Sequence, residues 1–127
     1  MLKLATSFTV FVEIYQRLVE ALPDLDIKKV QDNELEWIPS PSFIGRWYVE
    51  PELRWAAREG RILITDELDR INIKVFYSNL DKGKKVPGLF IVSTHADLDT
   101  IVNDLLLVIQ ASSNEEWDEK LLYIPIN

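Results

Sequence analysis

Residues 61–78 read RILITDELDRINIKVFYS, and the way this stretch folds decides the rest of the chain. Ile62, Leu63, Ile64 and Thr65 make a β-branched and aliphatic run closed by Asp66. After Glu67-Leu68-Asp69-Arg70, the residues Ile71, Ile73, Val75 and Tyr77 alternate with Asn72, Lys74 and Phe76, the two-residue period of a strand. Four polar-leaning residues between two such runs suit a hairpin connection. Residues 79–85 then form a polar tip, and 89–93, following Pro87-Gly88, read as a strand of the buried type. This segment predicts a run of antiparallel strands.

Working outward, the 16 positions from Ser7 to Leu22 carry Phe8, Phe11, Val12, Tyr15, Leu18, Val19 and Leu22 at three- and four-residue steps, which predicts an amphipathic helix capped by Thr6 or Ser7 and stopped by Pro23. Residues 24–33 read as a connector, 34–38 as a short strand and 39–42 (PSPS) as a loop. Residues 43–50 are aromatic and β-branched and read as another strand. Pro51 suits the first position of a short helix, and Gly60 its end. On the C-terminal side, 96–112 reads as a long helix with Thr94 as cap and Asp97 as the reciprocal carboxylate. Residues 115–119 form an acidic turn around Trp117, and 121–126 a last strand in which Pro125 fits an edge. The order predicts a single α+β domain over 1–127. Its sheet is mixed and mainly antiparallel, with five to six strands, an N-terminal helix, a short middle helix and a long C-terminal helix.

Composition bounds the function. The chain has 127 residues, 47 % of them apolar and 28 % charged, as expected of a globular domain able to bury its own core. Its 14 Lys and Arg stand against 21 Asp and Glu, a formal net charge of −7. Such a surface repels phosphate backbones and anionic lipid, which argues against general nucleic-acid or membrane binding and favours a basic protein partner. With no cysteine, disulfides, thiolate nucleophiles and Cys-based metal sites are excluded. The longest uninterrupted apolar run, 105–109, falls far short of the ~20 residues that span a bilayer, and the N-terminus lacks the pattern of a signal peptide, so the expected location is cytoplasmic.

Motifs with chemistry are few. His95 is the sole histidine, so it has no histidine partner for metal binding, and its place beside Thr94 suits an exposed helix start. Asp66, Glu67 and Asp69 offer oxygen ligands on a loop too short for an EF-hand. Glycines 45, 60, 83 and 88 are isolated, so neither a P-loop nor a dinucleotide fingerprint is present. No metal and no cofactor is expected.

The segment 45–61 (GRWYVEPELRWAAREGR) is the most unusual. It holds Arg46, Arg54, Arg58 and Arg61 among Trp47, Tyr48 and Trp55, the residue types enriched in binding hot spots. Candidate binding residues are therefore Arg46, Trp47, Tyr48, Arg54, Trp55 and Arg58, with the acidic 115–119 turn as a second surface. The expected function is a small cytosolic binding or regulatory protein, of immunity, inhibitor or chaperone type, acting through protein–protein contact. The alternative is a small hydrolase or isomerase using His95 and carboxylates in a cleft. The all-round apolar stretch 105–109 also predicts a two-fold homodimer through the long helix.

Overall fold

The computed structural model describes residues 1–40 and 42–126; Pro41 of the expected 39–42 loop and Asn127, the last residue of the expected 1–127 domain, lie outside the described residues. Among the described residues, seven strands and four α-helices follow one another as β1 (Lys3–Thr6), α1 (Val12–Ala21), β2 (Asp26–Lys29), β3 (Trp37–Pro39), β4 (Trp47–Val49), α2 (Glu52–Arg58), β5 (Ile62–Asp66), α3 (Arg70–Asp81), β6 (Leu89–Val92), α4 (Leu98–Ala111) and β7 (Leu121–Ile124).

Five strands form one sheet in the order β2-β1-β5-β6-β7, and every neighbouring pair is parallel. This overturns the expectation of a mainly antiparallel sheet. The error sits in residues 71–78, which are not a strand but the body of α3. Parallel neighbours cannot be joined by a tight turn, and β5 and β6 need a crossover, which α3 supplies. The apolar alternation there is misleading. Ile71 and Tyr77 are exposed, while Asn72 and Phe76, four residues apart, face the core together. Asp69 starts this helix by accepting the Asn72 amide at 3.0 Å. The only antiparallel pair among the described residues is the separate β3–β4 ribbon, with Trp37 opposite Val49 and Pro39 opposite Trp47.

The helix layout also differs at the N-terminus. Residues 3–6 form β1, and α1 begins at Val12, not Ser7. Thr6 and Ser7 are therefore not caps, and Phe8 and Phe11 lie outside the apolar face, 65 % and 75 % exposed. The expected connector contains β2, an edge strand of sequence DIKK in which Ile27 alone is buried. Lysines on an edge discourage pairing with other chains and also hide the strand from a hydrophobicity pattern. The short middle helix, the strands 62–66 and 89–92, the long C-terminal helix and the last strand occur where expected. The cap of α4 is Asp97, which accepts the Thr100 amide at 2.9 Å, while Thr94 turns to Glu67.

Each central strand is buried on both faces. Leu4, Ile62, Ile64, Phe90 and Val92 pack under α1 and α4, whereas Ala5, Leu63, Leu89 and Ile91 pack under α2 and α3. Such strands read as continuous apolar runs, ILIT and LFIV, instead of alternating. The apolar surplus of α4 finds cover within the chain. Leu105, Val108 and Ile109 are buried, Leu106 packs against them, and Leu107 alone is 61 % exposed. Within this stretch Leu107 is the residue left for a second copy to cover. No helix among the described residues is long and apolar enough to cross a membrane.

Candidate binding cleft

The connections that leave the adjacent strands β1 and β5 run in opposite directions: β1 leads to β2 on one side, and β5 leads to β6 on the other. In open doubly wound sheets, ligands bind at such a switch point, outside the carboxyl ends of the strands. Here the β1 end supplies Phe8 and Thr9, and the β5 end supplies Asp66, Leu68 and Asp69. An open cleft of about 930 Å³ lies there, lined also by Tyr48, Val49, Glu50 and Pro51 at the entry to α2 and by Arg70, Ile71 and Asn72 at the start of α3. The β3–β4 ribbon walls one side.

The walls are apolar and the polar groups beneath them are tied to one another. Glu52, 5 % exposed, accepts Ser7 Oγ at 2.6 Å, the Phe8 amide at 3.1 Å and Asn72 Nδ2 at 3.2 Å. Asp69 accepts Thr65 Oγ1 at 2.5 Å and Asn72 Nδ2 at 2.6 Å, and Asn72 Oδ1 accepts the Leu53 amide at 2.9 Å. Burial pushes the Glu52 carboxyl above its ordinary range, and the neighbouring Asp69 charge adds to this against the three hydrogen bonds. The network stitches β1, β5, α2 and α3 together under the cleft. It is satisfied internally, as a buried polar cluster must be.

Glu50 forms a second clamp. Burial alone would raise its carboxyl, but the Arg58 guanidinium at 2.7 and 3.0 Å, the Glu36 amide and Arg54 outweigh this and hold it below the usual range. The Glu50 amide in turn donates to the Glu36 carbonyl at 2.8 Å, fastening the ribbon to the start of α2.

Of the residues expected to bind, Trp47 and Tyr48 are exposed, 61 % and 40 %, and Tyr48 reaches the cleft. Trp37, Pro39, Trp47 and Val49 share one face of the ribbon, by the pairing register. Arg46 is exposed, with its guanidinium 5.2 Å from the Phe43 ring. Arg54 and Arg58 are both occupied by Glu36, at 3.7 and 3.6 Å. Trp55 is 4 % exposed and belongs to the core under α2. The structure thus brings Tyr48 to the cleft and leaves Arg54 and Arg58 in ion pairs beside it.

His95 stands apart, its side chain 91 % exposed and its Nε2 3.9 Å from Glu67 Oε1. It lines neither the cleft nor the adjoining cavity of about 120 Å³ under Ser93, Ala96 and Ile101. In the 66–69 turn, Asp66 Oδ1 accepts the Leu68 amide at 2.8 Å and Glu67 accepts Thr94, so these carboxylates shape loops. No group of three or more potential metal ligands occurs among the described residues.

Phe8, Glu52, Leu68, Ile71 and Asn72 were not found from the sequence, and Asp66 was read there only as an oxygen donor of a short loop. Phe8 follows the carboxyl end of β1, Asp66, Leu68, Ile71 and Asn72 lie at or just after that of β5, and Glu52 opens α2, placements that no local pattern reports. No protein-family model matches the chain, and neither a curated protein nor a solved structure matches it.

Proposed function

We propose that this protein is a non-catalytic binding or regulatory protein that takes hold of a protein partner in the cleft at the switch point of its sheet. The observation that carries the reading is the character of the cleft walls. Phe8, Leu68 and Ile71 are 65 %, 73 % and 68 % exposed, so large apolar side chains stand in water around an open groove. Monomeric proteins rarely leave such surface contiguous unless something covers it. The polar groups below are engaged with one another, and the only histidine lies outside, so the geometry supports recognition over catalysis. A cytosolic setting and the absence of general nucleic-acid binding belong to the same reading, on the net charge of −7.

The test compares tagged wild-type chain with the Leu68→Asp, Ile71→Asp double variant in extract of the native host. A partner retained in stoichiometric amount by the first and lost by the second, with unchanged circular dichroism, is the expected result. Retention by both forms would move the interface elsewhere. Absence of any stoichiometric partner would refute the reading.

A further inference from the structure

The proposed binding reading leaves open what the partner presents, and the charges around the cleft address that. In doubly wound folds, free amides at helix N-termini beside the switch point take anions such as phosphate. In this chain two of those positions meet the chain's own side chains. Asp69 accepts the Asn72 amide at the start of α3, and Asn72 Oδ1 accepts the Leu53 amide at the start of α2. Four carboxylates line the cleft, those of Glu50, Glu52, Asp66 and Asp69, against the single guanidinium of Arg70. Glu50 is neutralised by Arg58. Glu52 and Asp69 each accept three hydrogen bonds from neutral groups of the chain, which occupy their oxygens from within.

Asp66 differs from the others. One oxygen accepts the Leu68 amide, and the other meets no donor among the described residues. Asp66 and Thr9 line both the 930 Å³ cleft and the 120 Å³ cavity beside it, so this carboxylate marks the junction of the two spaces. Apolar walls on either side of an accessible carboxylate suit an apolar segment interrupted by one cation.

We infer, on the basis of the binding reading above, that the occupant is a segment of a partner protein that lays apolar side chains in the cleft and sets a lysine or arginine on Asp66. A second copy of this chain fits less well, because it brings another net charge of −7 to a surface already rich in carboxylates.

Three blocked peptides, acetyl-Ala-Leu-Xaa-Leu-Ser-amide with lysine, norleucine or glutamate at the centre, provide the probe. Amide cross-peaks of Thr9, Leu68 and Ile71 are followed by NMR at low salt. The lysine peptide is expected to bind about five- to tenfold more tightly than norleucine, and glutamate more weakly than both. The preference should shrink at 0.5 M salt, where the screening length is roughly 4 Å. Asp66→Asn retains an oxygen for the Leu68 amide, so the turn persists, and should bring lysine down to norleucine. Equal binding of lysine and norleucine at these cross-peaks would overturn the cation while leaving the cleft as the binding surface. Failure of all three peptides to shift them would overturn both. Concentration-dependent shifts of the same peaks without peptide would identify the occupant as a second copy and also overturn the inference.

Discussion

Arg58→Met cuts the clamp that holds the ribbon over the cleft. The Glu50 side chain is fully buried, and in the wild type both its oxygens accept from Arg58, at 2.7 and 3.0 Å. Removing one partner of a fully buried ion pair costs about 3–5 kcal/mol, because the remaining charge is left without either water or a counter-ion. Here the guanidinium side is 40 % exposed, so water reaches part of the abandoned carboxylate once the arginine is gone. About half the buried figure, ~2 kcal/mol, is the expected loss. With a urea dependence of about 2 kcal/mol per molar for a domain of this size, the midpoint should fall by roughly 1 M at pH 7. Urea unfolding followed by far-ultraviolet circular dichroism measures it. The pH dependence identifies the cause. Arg58 and its neighbours hold Glu50 below its ordinary value of 4.5, so its contribution is complete above 4.5 and is lost as the pH falls through the lower folded value. In the variant the buried carboxylate lacks its cation and takes up a proton more readily, so the gap to wild type should narrow on acidification. A loss below 0.5 kcal/mol, or one that does not change between pH 7 and pH 4.5, would refute the clamp.

Three other outcomes follow from the same structure. Gly88→Ala should cost at least ~2 kcal/mol in urea unfolding, since Gly88 has φ +125° and an added Cβ would lie 2.8 Å from the Trp117 carbonyl oxygen. Glu52 has its folded value above the ordinary 4.5, so its contribution to stability is largest below 4.5 and falls as the pH rises through the folded value; Glu52→Gln should flatten that part of the stability–pH curve, measured by thermal unfolding in matched buffers. His95→Ala should change stability by less than about 0.5 kcal/mol and leave capture of the partner unchanged, because the side chain is 91 % exposed and lines neither cavity.

The parts of the fold legible in the sequence are those with strong punctuation or a continuous apolar run, such as the strands 62–66 and 89–92. The helix Glu52–Arg58 is announced by Pro51 and Gly60, and the helix Leu98–Ala111 by Asp97 and a long apolar stretch. What failed is the distinction between a strand and a helix over 71–78. β-Branched residues at every second position imitate a strand, yet Ile71 and Tyr77 are in water because the cleft and the surface leave them uncovered. The sign that favoured a helix was Asp69, an N-cap three residues before Asn72. Once that segment is a helix, the strands at 62–66 and 89–92 must be parallel, and the sheet follows. The short strands Lys3–Thr6 and Asp26–Lys29 were missed because one lies against the start of the chain and the other is an edge strand with a single buried side chain.

The site was hidden for a related reason. The aromatic and arginine content of 45–61 drew attention to the ribbon, but composition cannot separate an arginine that meets a partner from one that neutralises a neighbour. Arg58 reaches Glu50, eight residues earlier, only because the chain turns from the ribbon into α2. Ser7, Glu52 and Asn72 meet across sequence separations of 45 and 20 residues. Nothing local to any of them marks it as functional; each is an ordinary cap or turn residue until parallel strands β1 and β5 are set side by side. The topology then does two things with one arrangement. It gathers the carboxyl ends of β1 and β5 into a crevice, and it turns Asp69 and Asn72 onto the first amides of α3 and α2. The crevice that doubly wound sheets commonly offer to an anion here carries four carboxylates against one guanidinium, the balance on which the proposed cationic occupant rests.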